Sequence, residues 1–75
     1  MPTLADIAPG NSVVIVEVQG EDALAMRLME MGLTDGETIR VVGRAPLGDP
    51  LEIAIRGYKL SLRKIEAARI RVAPS

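Results

Sequence analysis

A short segment with two glycines joins a helical pattern to a β-branched run and restricts how the two can be connected. Gly32 is placed to end the helix, because glycine adopts the left-handed C′ conformation without a steric penalty. Leu33 follows at C″, where its side chain can fold back onto the last helical turn. Gly36 closes a second turn before residues 38–42, which are rich in β-branched side chains. The segment therefore predicts a helix that passes directly into a small β structure.

The helical pattern extends from Asp22 to about Met31. Asp22 is a favourable N-cap, because an aspartate side chain accepts hydrogen bonds from the free N–H groups of the first turn. Leu24, Leu28 and Met31 recur at i, i+4 and i+7. This spacing predicts one apolar stripe that faces the core.

Two further methionines make the helix apolar on a second side. Met26 and Met29 lie away from the core-facing stripe. A helix with two apolar sides usually lies between two surfaces, so this second side faces either the first strand of the chain or a partner. Methionine is flexible and suits contacts with other proteins. The pattern favours an interaction module over a chemical site.

Proline and glycine divide the remaining sequence into pieces of strand length. Each piece is β-branched or alternates apolar with polar residues, and residues 64–68 have room for one helical turn only. The predicted strands are 12–18, 38–44, 51–56, 58–63 and 69–72, with Pro74 ending the last one. Five strands with one helix after the first predict a mostly β fold, a small SH3-like antiparallel barrel. An OB-type barrel is the nearest competitor, but its helix usually lies between the third and fourth strands.

The length of 75 residues predicts a single domain over residues 1–75. The sequence contains no cysteine, which excludes disulfides, and its first residues lack the pattern of a secretory signal. The longest apolar run, residues 13–16, is far too short to cross a bilayer. We therefore expect a soluble cytoplasmic domain.

The side chains offer little for catalysis or for metal binding. Histidine and cysteine are both missing, which removes the usual general base near neutral pH and the usual ligands of transition metals. The acidic residues are scattered singly except for Glu21 and Asp22, whose simplest role is at the start of the helix. The glycine-rich phosphate-binding motif of the Walker type does not occur. We expect no catalytic residue, no metal site and no cofactor.

Binding of single-stranded nucleic acid is the alternative function, because small barrels often have it. Five arginines take the outward register of their strands and would have to form the basic patch. They are Arg40, Arg44, Arg56, Arg69 and Arg71. Base stacking requires aromatic side chains, however, and Tyr58 is the only one in the chain. Cross-strand ion pairs with Glu17, Glu37 or Glu52 are the simpler role of these arginines, so we expect no nucleic-acid partner.

Motifs in a fixed order along nearly the whole chain resemble FeoA, the small ferrous iron transport protein A of bacteria. The first half contributes Leu4, Ile7, Pro9-Gly10, Arg27-Leu28, Met31-Gly32-Leu33, Gly36 and Ile39-x-Val41. The second half contributes Pro46-Leu47-Gly48-Asp49-Pro50 and Gly57-Tyr58-x-Leu60-Ser61-Leu62-Arg63-Lys64-x-Glu66-Ala67. Asp35 departs from the family, which commonly has proline before this glycine, but aspartate also suits a turn.

The resemblance implies an SH3-like barrel that assists FeoB, a polytopic membrane iron transporter with a cytoplasmic GTP-binding domain. The implied role is that of an adaptor, which binds the cytoplasmic region of FeoB and modulates its assembly, GTP hydrolysis or transport. Homo-oligomerisation through exposed sheet edges is compatible with this role. We expect partner contact at the helix with its exit turn and, as a second candidate, at the loop 47–49. The expected contact residues are Met26, Met29, Glu30, Leu33, Leu47 and Asp49.

Overall fold

The computed structural model describes residues 2–75 of the chain and contains five strands and two helices. In chain order, after a 3₁₀ turn at Leu4–Asp6, the elements are β1 (Ser12–Val18), α1 (Ala23–Glu30), β2 (Thr38–Arg44), β3 (Leu51–Ile55), β4 (Tyr58–Leu62), α2 (Lys64–Ala67) and β5 (Ile70–Pro74). The predicted mostly β fold, with one helix after the first strand and one helical turn before the last, is confirmed.

The end of β5 differs from the prediction. The sequence pattern placed the last strand at 69–72, but the strand continues to Pro74, which pairs with Val13 of β1. Proline is tolerated at this position because it stands at the end of a strand, where its missing N–H removes little from the hydrogen-bond ladder.

The five strands form one antiparallel sheet in the order β4-β3-β2-β1-β5. The register shifts once in the β1–β5 pair, at Val16, and once in the β2–β3 pair, at Val42. Each shift inserts one extra residue, and such bulges bend a strand and increase its twist. The two bulges help a single sheet to curl around a core.

The core inside the curled sheet is entirely aliphatic. Its members come from all five strands, from both helices and from the segments beside them, and β4 contributes only its last residue. They are Leu4, Val13, Ile15, Leu28, Leu33, Ile39, Val41, Leu51, Ile53, Ile55, Leu62, Ala67, Ile70 and Val72. From α1, Leu28 and Ala25 are fully buried, while Leu24 and Met31 are only partly buried and pack against the core. The predicted stripe of Leu24, Leu28 and Met31 therefore points inward. Ala25, which the stripe did not include, is more deeply buried than Leu24 or Met31.

The N-terminal segment covers one edge of the sheet. Thr3 forms a β-bridge with Arg71, and the N–H of Val72 donates to the carbonyl of Pro2 at 3.0 Å. The outer side of β5 is thus paired with the chain's own beginning. Among the described strands, β4 is left as the edge without a second partner strand.

Candidate partner-binding surface

Helix α1 is closed at both ends by local hydrogen bonds. At its start, the carboxylate of Asp22 accepts from the N–H of Ala25 at 3.2 Å, which confirms the predicted N-cap. At its end, the N–H of Gly32 donates to the carbonyl of Met29 at 3.0 Å, and that of Leu33 donates to the carbonyl of Leu28 at 3.2 Å. These two bonds are the Schellman motif, and Gly32 has the positive φ of +96° that the motif requires.

Polar contacts from the second half of the chain hold α1 against the barrel. Arg69 binds the N-cap carboxylate of Asp22 with two nitrogens, at 3.0 and 2.9 Å. Arg27, in the middle of the helix, donates to Glu66 of α2 at 2.8 Å. At the C-terminal end, the Tyr58 hydroxyl donates to the carbonyl of Met31 at 2.8 Å. The helix is therefore attached along its whole length.

Two carboxylates that pair with arginines have lowered pKa values, Asp22 at the start of α1 and Glu37 just before β2. The hydrogen bonds from Arg69 and from the N–H of Ala25 hold the pKa of Asp22 far below its usual range. The hydrogen bonds from Arg56 likewise lower the pKa of Glu37. Both carboxylates are therefore charged and hydrogen-bonded to their arginines at neutral pH, as is typical of ion pairs with a structural role.

The outward side of α1 is apolar with an acidic border. Met26 is 56% exposed and Met29 is 41% exposed, and Glu30 is exposed beside them. We call Met26, Met29 and Glu30 the α1 face. Of the two alternatives for the second apolar side of the helix, contact with the first strand is wrong, because Val13 and Ile15 are buried on the inner side of the sheet while the methionines are exposed.

The expectation that Leu33 belongs to the contact region is wrong. Its side chain is completely buried in the core. The reason is the Schellman motif, in which the C″ residue packs back against the last helical turn. Leu33 fixes the exit of the helix and is not accessible to a partner.

A second exposed apolar region lies at the loop between β2 and β3. Leu47 is 96% exposed at the tip of this loop. Asp49 accepts a hydrogen bond from the N–H of Lys64 at 3.0 Å, so the loop lies beside the start of α2. Ile65, the next residue of α2, is 66% exposed. We call Leu47, Ile65 and the adjacent cations Arg63 and Lys64 the loop end.

Leu47 and Asp49 were both predicted to contact a partner, whereas no sequence pattern indicated that Ile65 is exposed. Asp49 is exposed, but its carboxylate serves to attach the loop to α2. The spacing of Asp49 and Lys64 gave no signal of this bond, because the two residues meet only after β3 and β4 have paired.

Most of the outward arginines are occupied. Arg71 pairs with Glu17 across β1 and β5, as the cross-strand interpretation expected. The expectation that Arg56 and Arg69 are strand residues is wrong: both lie just outside the strands, where they pair with Glu37 and Asp22. Arg44 donates to two backbone carbonyls of the N-terminal segment, at 2.7 and 2.8 Å. Within the described chain, Arg40 is the member of the five whose side chain forms neither an ion pair nor a hydrogen bond. Four of the five arginines thus have contacts within the described chain, which is the structural role that the sequence favoured.

The described residues show no group of three or more acidic, histidine or cysteine side chains arranged to hold a metal ion. None of their helices is long and apolar enough to span a membrane.

An open groove of about 400 Å³ lies between the N-terminal segment, β1 and β5, and is lined mainly by apolar residues such as Pro2, Ile7 and Pro74. The predicted contact residues that are exposed lie elsewhere, in the α1 face and in or beside the loop end.

This combination of a curled five-stranded sheet and one attached helix defines a small SH3-like barrel. The protein-family model described as FeoA domain matches residues 3–74. The chain belongs to the FeoA domain family.

Known relatives agree in sequence and in structure. The Fe(2+) transport protein A/Fe(2+) transporter FeoB fusion protein of Porphyromonas gingivalis is 44% identical over 69 residues, which are 92% of this chain and 8% of that protein. The chain therefore spans only a small part of the length of this relative. The FeoA-like protein of Clostridium acetobutylicum has a TM-score of 0.90 at 36% identity, over 96% of this chain and 84% of that one.

The FeoA of Stenotrophomonas maltophilia, an SH3-domain protein crystallised with zinc, has a TM-score of 0.87 at 35% identity. The alignment covers 97% of this chain and 91% of that one. The predicted SH3-like class and the resemblance to FeoA are both confirmed.

Proposed function

We propose that this protein is a cytoplasmic, non-enzymatic accessory factor of bacterial ferrous iron uptake, which binds the cytoplasmic region of the FeoB transporter and modulates it. The observation that carries the proposal is the fusion of a 44% identical FeoA segment to FeoB in one polypeptide of Porphyromonas gingivalis. Covalent linkage keeps two domains at high effective concentration, which is useful when they act on each other. A role as an activating factor of ferrous iron transport has been suggested for the relative from Stenotrophomonas maltophilia.

The α1 face is the surface that we assign to FeoB. Its two methionines expose apolar area on a helix that is fixed in place, so binding would cost little backbone conformational entropy at that site. Glu30 adds a charged border, which is typical of the rim around an apolar contact. Flexible methionine side chains can adapt to the shape of a partner.

Co-purification with FeoB after substitution in the α1 face tests the proposal. Met29→Asp and, separately, Glu30→Lys should reduce the amount of FeoB retained, because they place a charge against an apolar contact or reverse a charge at its rim. The far-UV circular dichroism spectrum should stay that of the original protein. A matched control is Val42→Asp, since Val42 is 40% exposed and Met29 is 41% exposed.

The outcomes separate the function from the surface. If Val42→Asp reduces retention as strongly as Met29→Asp, the α1 face is not the specific contact. If Met29→Asp unfolds the chain, the residue is part of the core and the assignment is wrong. If the unaltered protein neither retains FeoB nor changes its GTP hydrolysis or iron transport, the proposed function itself fails.

A further inference from the structure

The loop end has an apolar tip that is held in an exposed position. The loop closes through hydrogen bonds from the N–H of Gly48 to the carbonyl of Ala45 at 2.7 Å, and from the N–H of Ala45 to that of Pro50 at 3.0 Å. The bond between Asp49 and the N–H of Lys64 attaches this loop to α2. Leu47 is 96% exposed at its tip. The loop thus presents an aliphatic side chain that its own contacts do not cover.

Helix α2 adds a second aliphatic side chain in an unusual arrangement. In this four-residue helix Glu66 is buried, at 9% exposure, whereas Ile65 is 66% exposed. Glu66 faces inward because it accepts from the N–H of Arg63 at 2.8 Å and from Arg27 at 2.8 Å. The isoleucine is therefore left on the outer side, next to Lys64.

The charges around this tip are mainly positive. Arg63 and Lys64 are exposed and form no ion pair within the described chain. Asp49 is an exposed acid beside them, bonded to the backbone N–H of Lys64, whereas Glu66 is turned inward and paired with Arg27, so the two cations outnumber the exposed acid. The loop end thus combines a projecting apolar tip with free cations, whereas the α1 face has an acidic border.

From this contrast we propose that the loop end binds the surface of an anionic membrane, with Leu47 and Ile65 entering the headgroup region and Arg63 and Lys64 contacting lipid phosphates. Apolar burial and attraction to anionic lipids are the two terms that together produce interfacial binding. A surface with an acidic border is repelled by the same lipids, so the charge pattern selects the loop end and not the α1 face.

The choice of a membrane as the occupant rests partly on the proposed function. A domain that acts on a transporter works close to the bilayer that contains it, as in the fusion with FeoB. At such a high effective concentration of lipid, a contact of low intrinsic affinity is enough to orient the domain. The surface itself can be tested without the transporter.

Binding to nanodiscs that contain phosphatidylglycerol, measured by ¹⁵N–¹H NMR at low ionic strength, tests the proposal. We expect signal changes at 45, 47–49 and 63–66, since Pro46 and Pro50 have no N–H. These changes should be absent with phosphatidylcholine alone and should weaken as salt is added. Arg63→Gln with Lys64→Gln should reduce partitioning by about 25-fold, at roughly fivefold for each cation near the surface. Leu47→Ser should reduce it by about tenfold.

Two matched controls make the result specific. Arg40→Gln with Lys59→Gln removes the same charge from the outer side of the sheet, where Ala54 pairs with both residues. Met26→Ser removes an exposed apolar side chain from the α1 face. Both should leave partitioning nearly unchanged if the loop end is the contact.

Several outcomes would overturn the proposal. Equal losses from the two charge pairs would mean general electrostatic adsorption, and an unaltered protein that ignores anionic nanodiscs would exclude lipid. Retention of FeoB that depends on Leu47, without any lipid binding, would assign the loop end to a protein. Lipid binding without retention of FeoB would instead leave this inference standing and count against the proposed function.

Discussion

Replacing Glu66 with alanine should destabilise the protein by about 3 kcal/mol, and most of that loss should come from within α2. Glu66 is the charged residue that is buried in the described chain, with 9% of its surface exposed. One of its oxygens accepts from the N–H of Arg63 at 2.8 Å and the other from Arg27 at 2.8 Å. The first bond satisfies a backbone group at the start of a helix, a contribution of about 1 kcal/mol, and a charged acceptor increases it.

The ion pair with Arg27 should contribute much less. The side chain of Arg27 is 64% exposed, whereas that of Glu66 is 11% exposed. Water screens an ion pair with one exposed partner, and such pairs are typically worth less than about 1 kcal/mol. Arg27→Met, which keeps most of the aliphatic stem, should therefore cost about 0.5 kcal/mol.

A double-mutant cycle separates the two contributions. Urea denaturation followed by far-UV circular dichroism gives the free energy of unfolding for the original protein, both single variants and the double variant. We expect a coupling energy below about 1 kcal/mol between Arg27 and Glu66. We also expect Glu66→Ala to lower the melting temperature by roughly 15 °C for a chain of this size. A coupling energy close to the full cost of Glu66→Ala, or a total cost below about 1 kcal/mol, would refute this reasoning.

Two further perturbations follow from the exit turn and from the N-cap of α1. Gly32→Ala should cost about 2 kcal/mol in the same assay, because the position has a φ of +96° and a Cβ there would lie 2.8 Å from a tyrosine hydroxyl. Gly36→Ala, with a φ of +89° and open space around it, should cost only about 1 kcal/mol, and equal costs would contradict the steric argument. Asp22 has a lowered pKa in the folded protein, so its contribution to stability is complete above the unfolded pKa near 4 and is lost as the pH falls below it. Asp22→Asn should therefore flatten the decline of the urea midpoint below about pH 4, and an unchanged decline would exclude Asp22 as its source.

Local rules predicted much of the fold because the relevant contacts are close in sequence. The alternation of apolar residues gave the strands, and Gly32 gave the end of α1, since a Schellman motif needs only six consecutive residues. The same rule implied that Leu33 packs inward. Assigning it to a partner was therefore an error in applying the rule, and the buried side chain corrects it.

The contacts that attach α1 could not be read from the sequence. Arg27 and Glu66 are 39 residues apart, and Asp22 and Arg69 are 47 residues apart. No local pattern links such pairs, because their meeting depends on the curl of the whole sheet. In α2, Glu66 is buried and Ile65 is exposed, the reverse of what is ordinarily expected of a glutamate and an isoleucine. The sequence did not indicate this because Glu66 pairs with Arg27, which is distant along the chain.

The α1 face is consequently a property of the barrel and not of the helix alone. With eight residues, α1 is shorter than the 12–15 residues that an isolated helix needs to be even marginally stable in water. Its position is set by Arg69, Glu66 and Tyr58, all from the second half of the chain. A peptide that carried only the two methionines would not present them in a fixed geometry. On the proposed contact between the α1 face and FeoB, this is a physical reason for a relative to join nearly the full length of such a domain to FeoB, and not merely a helical segment.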